Sequence, residues 1–105
     1  MSTRALIEIE GMTFAKVYKH YDGYPEATLP WLSDFNKKFT KERGNDPEYK
    51  FAQLLRSSYG DAEKYNLDKS TTSGWGVVSG EGNNDVDFMY TLKADGSVTL
   101  EDQNN

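Results

Sequence analysis

The apolar residues of this chain change their spacing twice along its length, and that change limits the available folds more than any other feature. In "TRALIEIEG" Ala5, Ile7 and Ile9 alternate with Arg4, Glu8 and Glu10, Leu6 being the exception, which is the period of a half-buried strand. Gly11 permits a tight connection to "MTFAKVYKH", where Ala15 and Val17 alternate with Lys16, Tyr18 and His20, so the two strands make a hairpin. The spacing then becomes helical. In "ATLPWLSDFNKKFTKERG" Leu32, Phe35 and Phe39 fall three and four apart beside Trp31; Thr28 serves as N-cap, Pro30 sits in the first turn, and Gly44 ends the helix. "NDPEYKFAQLLRSSYG" repeats that grammar, with Asp46 as cap, Pro47 at the first position, a stripe of Phe51, Leu54, Leu55 and Tyr59, and Gly60 as terminator.

Period two returns in the last third. Trp75 to Val78 form a short strand core, and "DVDFMYTL" sets Val86, Phe88, Tyr90 and Leu92 against Asp85, Asp87, Met89 and Thr91. Asp95-Gly96 is the tip of a hairpin into a final strand through Val98 and Leu100, and the chain frays from about residue 102. Residues 61–73 lose all period and read as loop. The order ββααβββ predicts an α+β fold: an antiparallel sheet of about five strands with two helices on one face. The 105 residues, 36% hydrophobic, suffice for a single domain spanning 1–105.

Composition removes several chemistries. With no cysteine there are no disulfides, thiolate nucleophiles or cysteine-held metals. No apolar run reaches membrane-spanning length, and the N-terminus lacks the long apolar run of a secretory signal, so the chain reads as cytoplasmic. The net charge of −5 is uneven: beyond residue 60 there are three basic and nine acidic side chains. Such a surface repels free nucleic acid and attracts a basic protein surface.

The stretch "VYKHYDGYPEATLPWL" holds the one histidine, His20, among tyrosines and a Tyr-Pro. A Ser-His-Asp site has no support here, since no serine lies in a G-x-S-x-G elbow. His20, Asp22 and Glu26 offer one imidazole and two carboxylates to a divalent metal, which with Tyr24 makes a small metal- or ligand-binding enzyme the alternative reading. Read structurally, the stretch is a joint. Asp22 accepts a hydrogen bond from the backbone two residues on, Gly23 takes positive φ, Pro25 turns the chain into the helix, and Tyr18, Tyr21 and Tyr24 bury their rings beside Trp31. The glycines of "SGWGVVSGEGNND" match no phosphate-binding signature and read as turn and bulge residues. Neither cofactor nor metal is expected.

"STRALIEIEG", "KVYKHYDGYPEATLPWLSDF" and "DVDFMYTLKADGSVTL" together resemble a group of small uncharacterised proteins from bacteriophages, prophages and archaeal mobile elements. The Lys-His-x-Asp-Gly-Tyr-Pro core, Lys19 to Pro25, carries most of the likeness, which covers about half the chain. The resemblance implies a genomic setting rather than a reaction. In that setting, small single-domain proteins without catalytic residues are frequently inhibitors of host defence, anti-CRISPR proteins included. The expected function is therefore non-enzymatic: binding and inhibition of a host nucleic-acid-handling protein or ribonucleoprotein complex, such as a CRISPR effector. Glu81, Asp85, Asp87, Asp95, Glu101 and Asp102 form the expected acidic contact face, and Tyr21, Asp22, Tyr24 and Glu26 a second contact at the turn. Asp85 and Asp87, alternating on one strand, stand about 6 to 7 Å apart, near the phosphate spacing of a nucleic-acid strand. A self-associating phage structural protein is a further alternative, since sheet edges invite pairing. The expected state is a monomer or homodimer without nucleic acid or membrane.

Overall fold

The computed structural model describes residues 3–57, 75–81 and 85–103. Its elements run β1 (Ala5–Ile9), β2 (Met12–Lys19), α1 (Pro25–Arg43), α2 (Pro47–Ser57), β3 (Trp75–Ser79), β4 (Phe88–Leu92) and β5 (Val98–Asp102). This is the α+β order expected from the change of period. Tyr59, Gly60 and the stretch 61–73 lie outside the described residues.

The five strands form one sheet in the order β3-β2-β1-β4-β5. The expected all-antiparallel sheet needs correction: β1 and β4 pair in parallel, Ile7 opposite Tyr90, while every other pair is antiparallel. Side-chain alternation specifies which face of a strand is buried and carries no information on the direction of its neighbour. Hence β4 reads clearly as a strand, and its place beside β1 does not.

Odd-numbered residues of β1 and β3, the odd-numbered residues of β2 from Ala15 onward with Met12 on the far side of a register shift, and the even-numbered apolar residues of β4 and β5 share one face. Ala5, Ile7, Ile9, Val17, Tyr90 and Leu92 are buried there with Leu32 of α1 and Leu54 of α2. Each such aliphatic side chain withdrawn from water contributes about 1.5–3 kcal/mol. α1 lies over β4 and β5 and α2 over β1 and β2, so both helices do cover the same face. Leu6 points the other way, yet is buried between Tyr18 and Met89 on the neighbouring strands. That explains the break in the alternation of β1.

The ends of α1 differ from expectation. The helix begins at Pro25, with Tyr24 in an extended conformation (φ −70°, ψ 152°) as N-cap and no side-chain cap. Thr28 is therefore inside the first turn rather than capping it, and its hydroxyl donates back to the Asp22 carbonyl at 2.7 Å. Pro25 is favoured at N1 because its fixed φ is already helical and the N–H it lacks has no partner there. Pro30 then sits within the helix, where the Glu26 carbonyl loses its donor; both residues are exposed, so water can replace it. At the other end Gly44, at φ 70°, donates to the Thr40 carbonyl at 2.8 Å. The final strand through Val98 and Leu100 is β5, Val98–Asp102, and the tail expected to fray from about residue 102 is held one residue further, since the Gln103 N–H donates to the Asp87 carbonyl at 2.9 Å.

Candidate functional site

The joint between β2 and α1 is built by close backbone approach. Asp22, not Gly23, takes the positive φ of 55°, a conformation that short polar side chains tolerate. Gly23 is needed for space: a Cβ there would stand 2.8 Å from Ala5 Cβ and 3.0 Å from the Thr3 carbonyl. The Gly23 N–H donates to that Thr3 carbonyl at 2.9 Å, and the buried Tyr90 hydroxyl donates to the Gly23 carbonyl at 2.6 Å. The loop is thus clamped onto β1 from one side and β4 from the other.

The tyrosines of the joint do not surround Trp31. Trp31 packs edge-on against Trp75 of β3, centroids 5.6 Å apart, while Tyr21 is 54% exposed and Tyr24 is exposed at the N-cap. Tyr18 and His20 share a 2.7 Å hydrogen bond through Nδ1, and His20 packs edge-on against Tyr21. The buried tyrosine is Tyr90 instead. Three chain segments meet at its hydroxyl, which sequence spacing does not reveal. Asp22 and Glu26 are exposed, and among the described residues no three His, Cys, Asp or Glu side chains gather as a metal-ligand set. Tyr21, Asp22, Tyr24 and Glu26 form an exposed turn surface.

Burial pushes the Tyr90 phenol up to about 12 from an ordinary value of 10. A phenol that keeps its proton longer in the folded state contributes stability that is fully present below pH 10 and lost as the pH climbs toward 12. Tyr90→Phe is expected to cost about 1 kcal/mol at neutral pH, through the lost hydrogen bond, and to flatten the alkaline limb of the stability profile. Denaturant unfolding at stepped pH measures both; equally steep limbs in the two proteins would contradict the assignment.

The acidic residues divide unevenly over the sheet. Asp85 and Asp87 precede β4, Asp95 lies in the β4–β5 turn, and Glu101 and Asp102 end β5, so these carboxylates line one hairpin at one edge. Glu81 follows β3 at the opposite edge. Asp85 and Asp87 do not alternate along a strand, because β4 begins only at Phe88 and the Asp87 carboxylate accepts the Arg4 N–H at 3.0 Å. Asp95 accepts from the Ser97 N–H and hydroxyl at 2.9 and 2.6 Å, which hold its carboxyl below the usual range. Glu101 and Asp85 are exposed.

Beneath this hairpin lies a buried polar cluster that sequence reading overlooks. Asn36 is fully buried, and its amide donates to the carbonyls of Lys93 and Ser97 at 3.0 and 2.8 Å. Lys50, also buried, reaches the same Lys93 carbonyl at 3.4 Å and lies 5.5 Å from the centre of the Phe39 ring. Desolvation holds its ammonium below the ordinary lysine range, against the opposing pull of Glu10 and Asp95. The signal was present in the spacing: Asn36 is four residues from Leu32, and Lys50 four from Leu54, so each polar residue lies on its helix's apolar stripe.

Between the helices runs a groove of about 420 Å³ lined by Trp31, Phe35, Phe39 and Tyr49. Its rim charges are largely spent, Lys38 on Asp34 and Arg43 on Asp46, each at 3.0 Å, with Arg43 also stacked 4.2 Å from the Tyr49 ring centre. The size suits one large apolar side chain or a small ligand. No helix among the described residues is long and apolar enough to cross a membrane. No protein-family model, curated protein or solved structure matches this chain.

Proposed function

We propose that the chain is a non-enzymatic binding protein of a mobile element that inhibits a host nucleic-acid-handling complex, of which a CRISPR effector is the leading example. The observation that carries this reading is the acidic hairpin: Asp85, Asp87, Asp95, Glu101 and Asp102 lie on and beside β4 and β5, at a sheet edge whose outer strand is exposed from Thr99 onward. A basic groove shaped for phosphates attracts such an edge and is blocked by it. Asn36 and Lys50 brace the turn of this hairpin from the helical side, so its charges are presented on a fixed backbone rather than on a free loop.

The test is the affinity for a purified CRISPR effector ribonucleoprotein in rising salt, with nucleic-acid binding by the effector as a second readout. The expected result is affinity that falls with salt and drops about tenfold or more in a chain carrying Asp85→Lys and Glu101→Lys. Binding that ignores salt and survives both reversals, but weakens with Tyr49→Ala, moves the contact to the groove between the helices. An effector that neither binds the chain nor loses nucleic acid to it overturns the proposal for that class of partner.

A further inference from the structure

The groove of about 420 Å³ between α1 and α2 is lined by residues of those two helices alone, all of them described. Its wall is aromatic. Trp31, Phe35 and Phe39 follow at four-residue intervals along α1, and Tyr49 of α2 meets Phe39 across the groove. The rings stand closer to parallel than to crossed: Phe35 and Phe39 lie 6.2 Å apart at 26°, Phe39 and Tyr49 5.9 Å apart at 37°. Rings so aligned offer their faces to a flat guest. Tyr49 is 43% exposed, so the slot opens to solvent.

Charge on the rim selects among flat guests. Asp34, Lys38 and Glu42 form one row along α1, each four residues from the next. Lys38 is bonded to Asp34 and Arg43 to Asp46, while Glu42 is exposed and has no salt bridge among the described residues. The rim therefore holds one carboxylate to spare, beside ring faces whose quadrupoles also favour positive charge, in a chain of net charge −5. The chain itself places a cation on this wall: the Arg43 guanidinium lies 4.2 Å from the centre of the Tyr49 ring. Lys50, the other cation near these rings, reaches the Lys93 carbonyl and does not line the groove. A guanidinium is both flat and cationic and stacks on aromatic faces, whereas an ammonium is a compact, strongly hydrated point charge.

We propose that this groove is a guanidinium site that takes an arginine side chain of a partner protein, its flat group stacked on the wall of Phe39 and Tyr49 and its charge set against Glu42. An uncharged side chain would fill the same space but cover Glu42 without pairing it, which costs free energy. None of the acidic residues of the β4–β5 hairpin lines the groove, so the inference stands whether or not that hairpin meets a nucleic-acid-handling complex.

Titration of the full chain with N-acetyl-arginine N-methylamide tests this, read by NMR shifts of the Trp31 indole and of the Phe35, Phe39 and Tyr49 rings. Saturable shifts centred on those rings are expected, with a Kd on the order of millimolar because one side chain is the whole ligand. The corresponding norleucine and lysine derivatives, one uncharged and one cationic but not flat, are expected to bind about fivefold more weakly or less. Glu42→Gln is expected to weaken arginine binding about threefold, while Glu101→Gln, the same change of charge on the hairpin, leaves it unchanged. Tyr49→Ala is expected to weaken it about tenfold. Norleucine or lysine derivatives that bind as tightly as arginine overturn the proposal. So do shifts centred outside the groove, equal effects of Glu42→Gln and Glu101→Gln, or the lack of any saturable shift.

Discussion

Gly23→Ala is expected to destabilise the protein by about 3 kcal/mol, seen as a fall in Tm of about 10–15 °C. The cost is steric. The added methyl would stand 2.8 Å from Ala5 Cβ and 3.0 Å from the Thr3 carbonyl, and neither neighbour can retreat: Ala5 is wholly buried in the central strand, and the Thr3 carbonyl holds the Gly23 N–H. Moving the loop outward instead stretches the 2.6 Å bond from Tyr90 and the 2.7 Å bond from Thr28 to Asp22. Gly44→Ala is the instructive comparison. Nothing stands within 4 Å of a Cβ there, but φ is +70°, so its cost is conformational and about 1 kcal/mol. Equal losses in the two variants, measured by denaturant unfolding, would refute the close-packed joint.

Asn36→Ala is expected to cost about 2–3 kcal/mol, from two lost hydrogen bonds and the space left in a packed interior. The damage concentrates on the β4–β5 turn, because Lys93 and Ser97 are the residues whose carbonyls Asn36 holds. Amide exchange should therefore quicken at Ser97 and Val98 more than in β1 or β2. Thr40→Val, one turn along α1, has the opposite expectation. The Thr40 hydroxyl is buried with no hydrogen-bond partner among the described residues, so replacing it with a methyl of similar size should leave stability unchanged or slightly raised. If Thr40→Val proves as harmful as Asn36→Ala, the polar cluster is held together in some other way.

Gly23→Ala acts where sequence spacing stops being informative. "YDGYPE" announces a turn through its Asp-Gly and Tyr-Pro, yet which residue needs positive φ and which needs room depends on what the loop lies against. Asp22 satisfies the first need and Gly23 the second, because β1 passes directly beneath Gly23. Helix starts show the same limit: Thr28 has the chemistry of a cap, but Pro25 and the bond from Thr28 back to Asp22 start α1 earlier. Of the acidic residues, the sequence shows the concentration beyond residue 60 and not its division, which leaves Glu81 across the sheet from the others.

The chain's periodicity alone determined the seven elements of the described residues, their order, the buried face of each strand and the stacking of two helices on one side. Those properties follow from the repeat of side-chain direction along a strand or a helix, a local geometric fact. Only the tertiary structure decided that β4 lies parallel to β1, that Tyr90 rather than a tyrosine of the turn is buried, and that Asn36 and Lys50 meet under the hairpin. Strand neighbours and buried polar contacts join residues far apart in the chain, and they are selected by the packing of the whole core rather than by any local pattern.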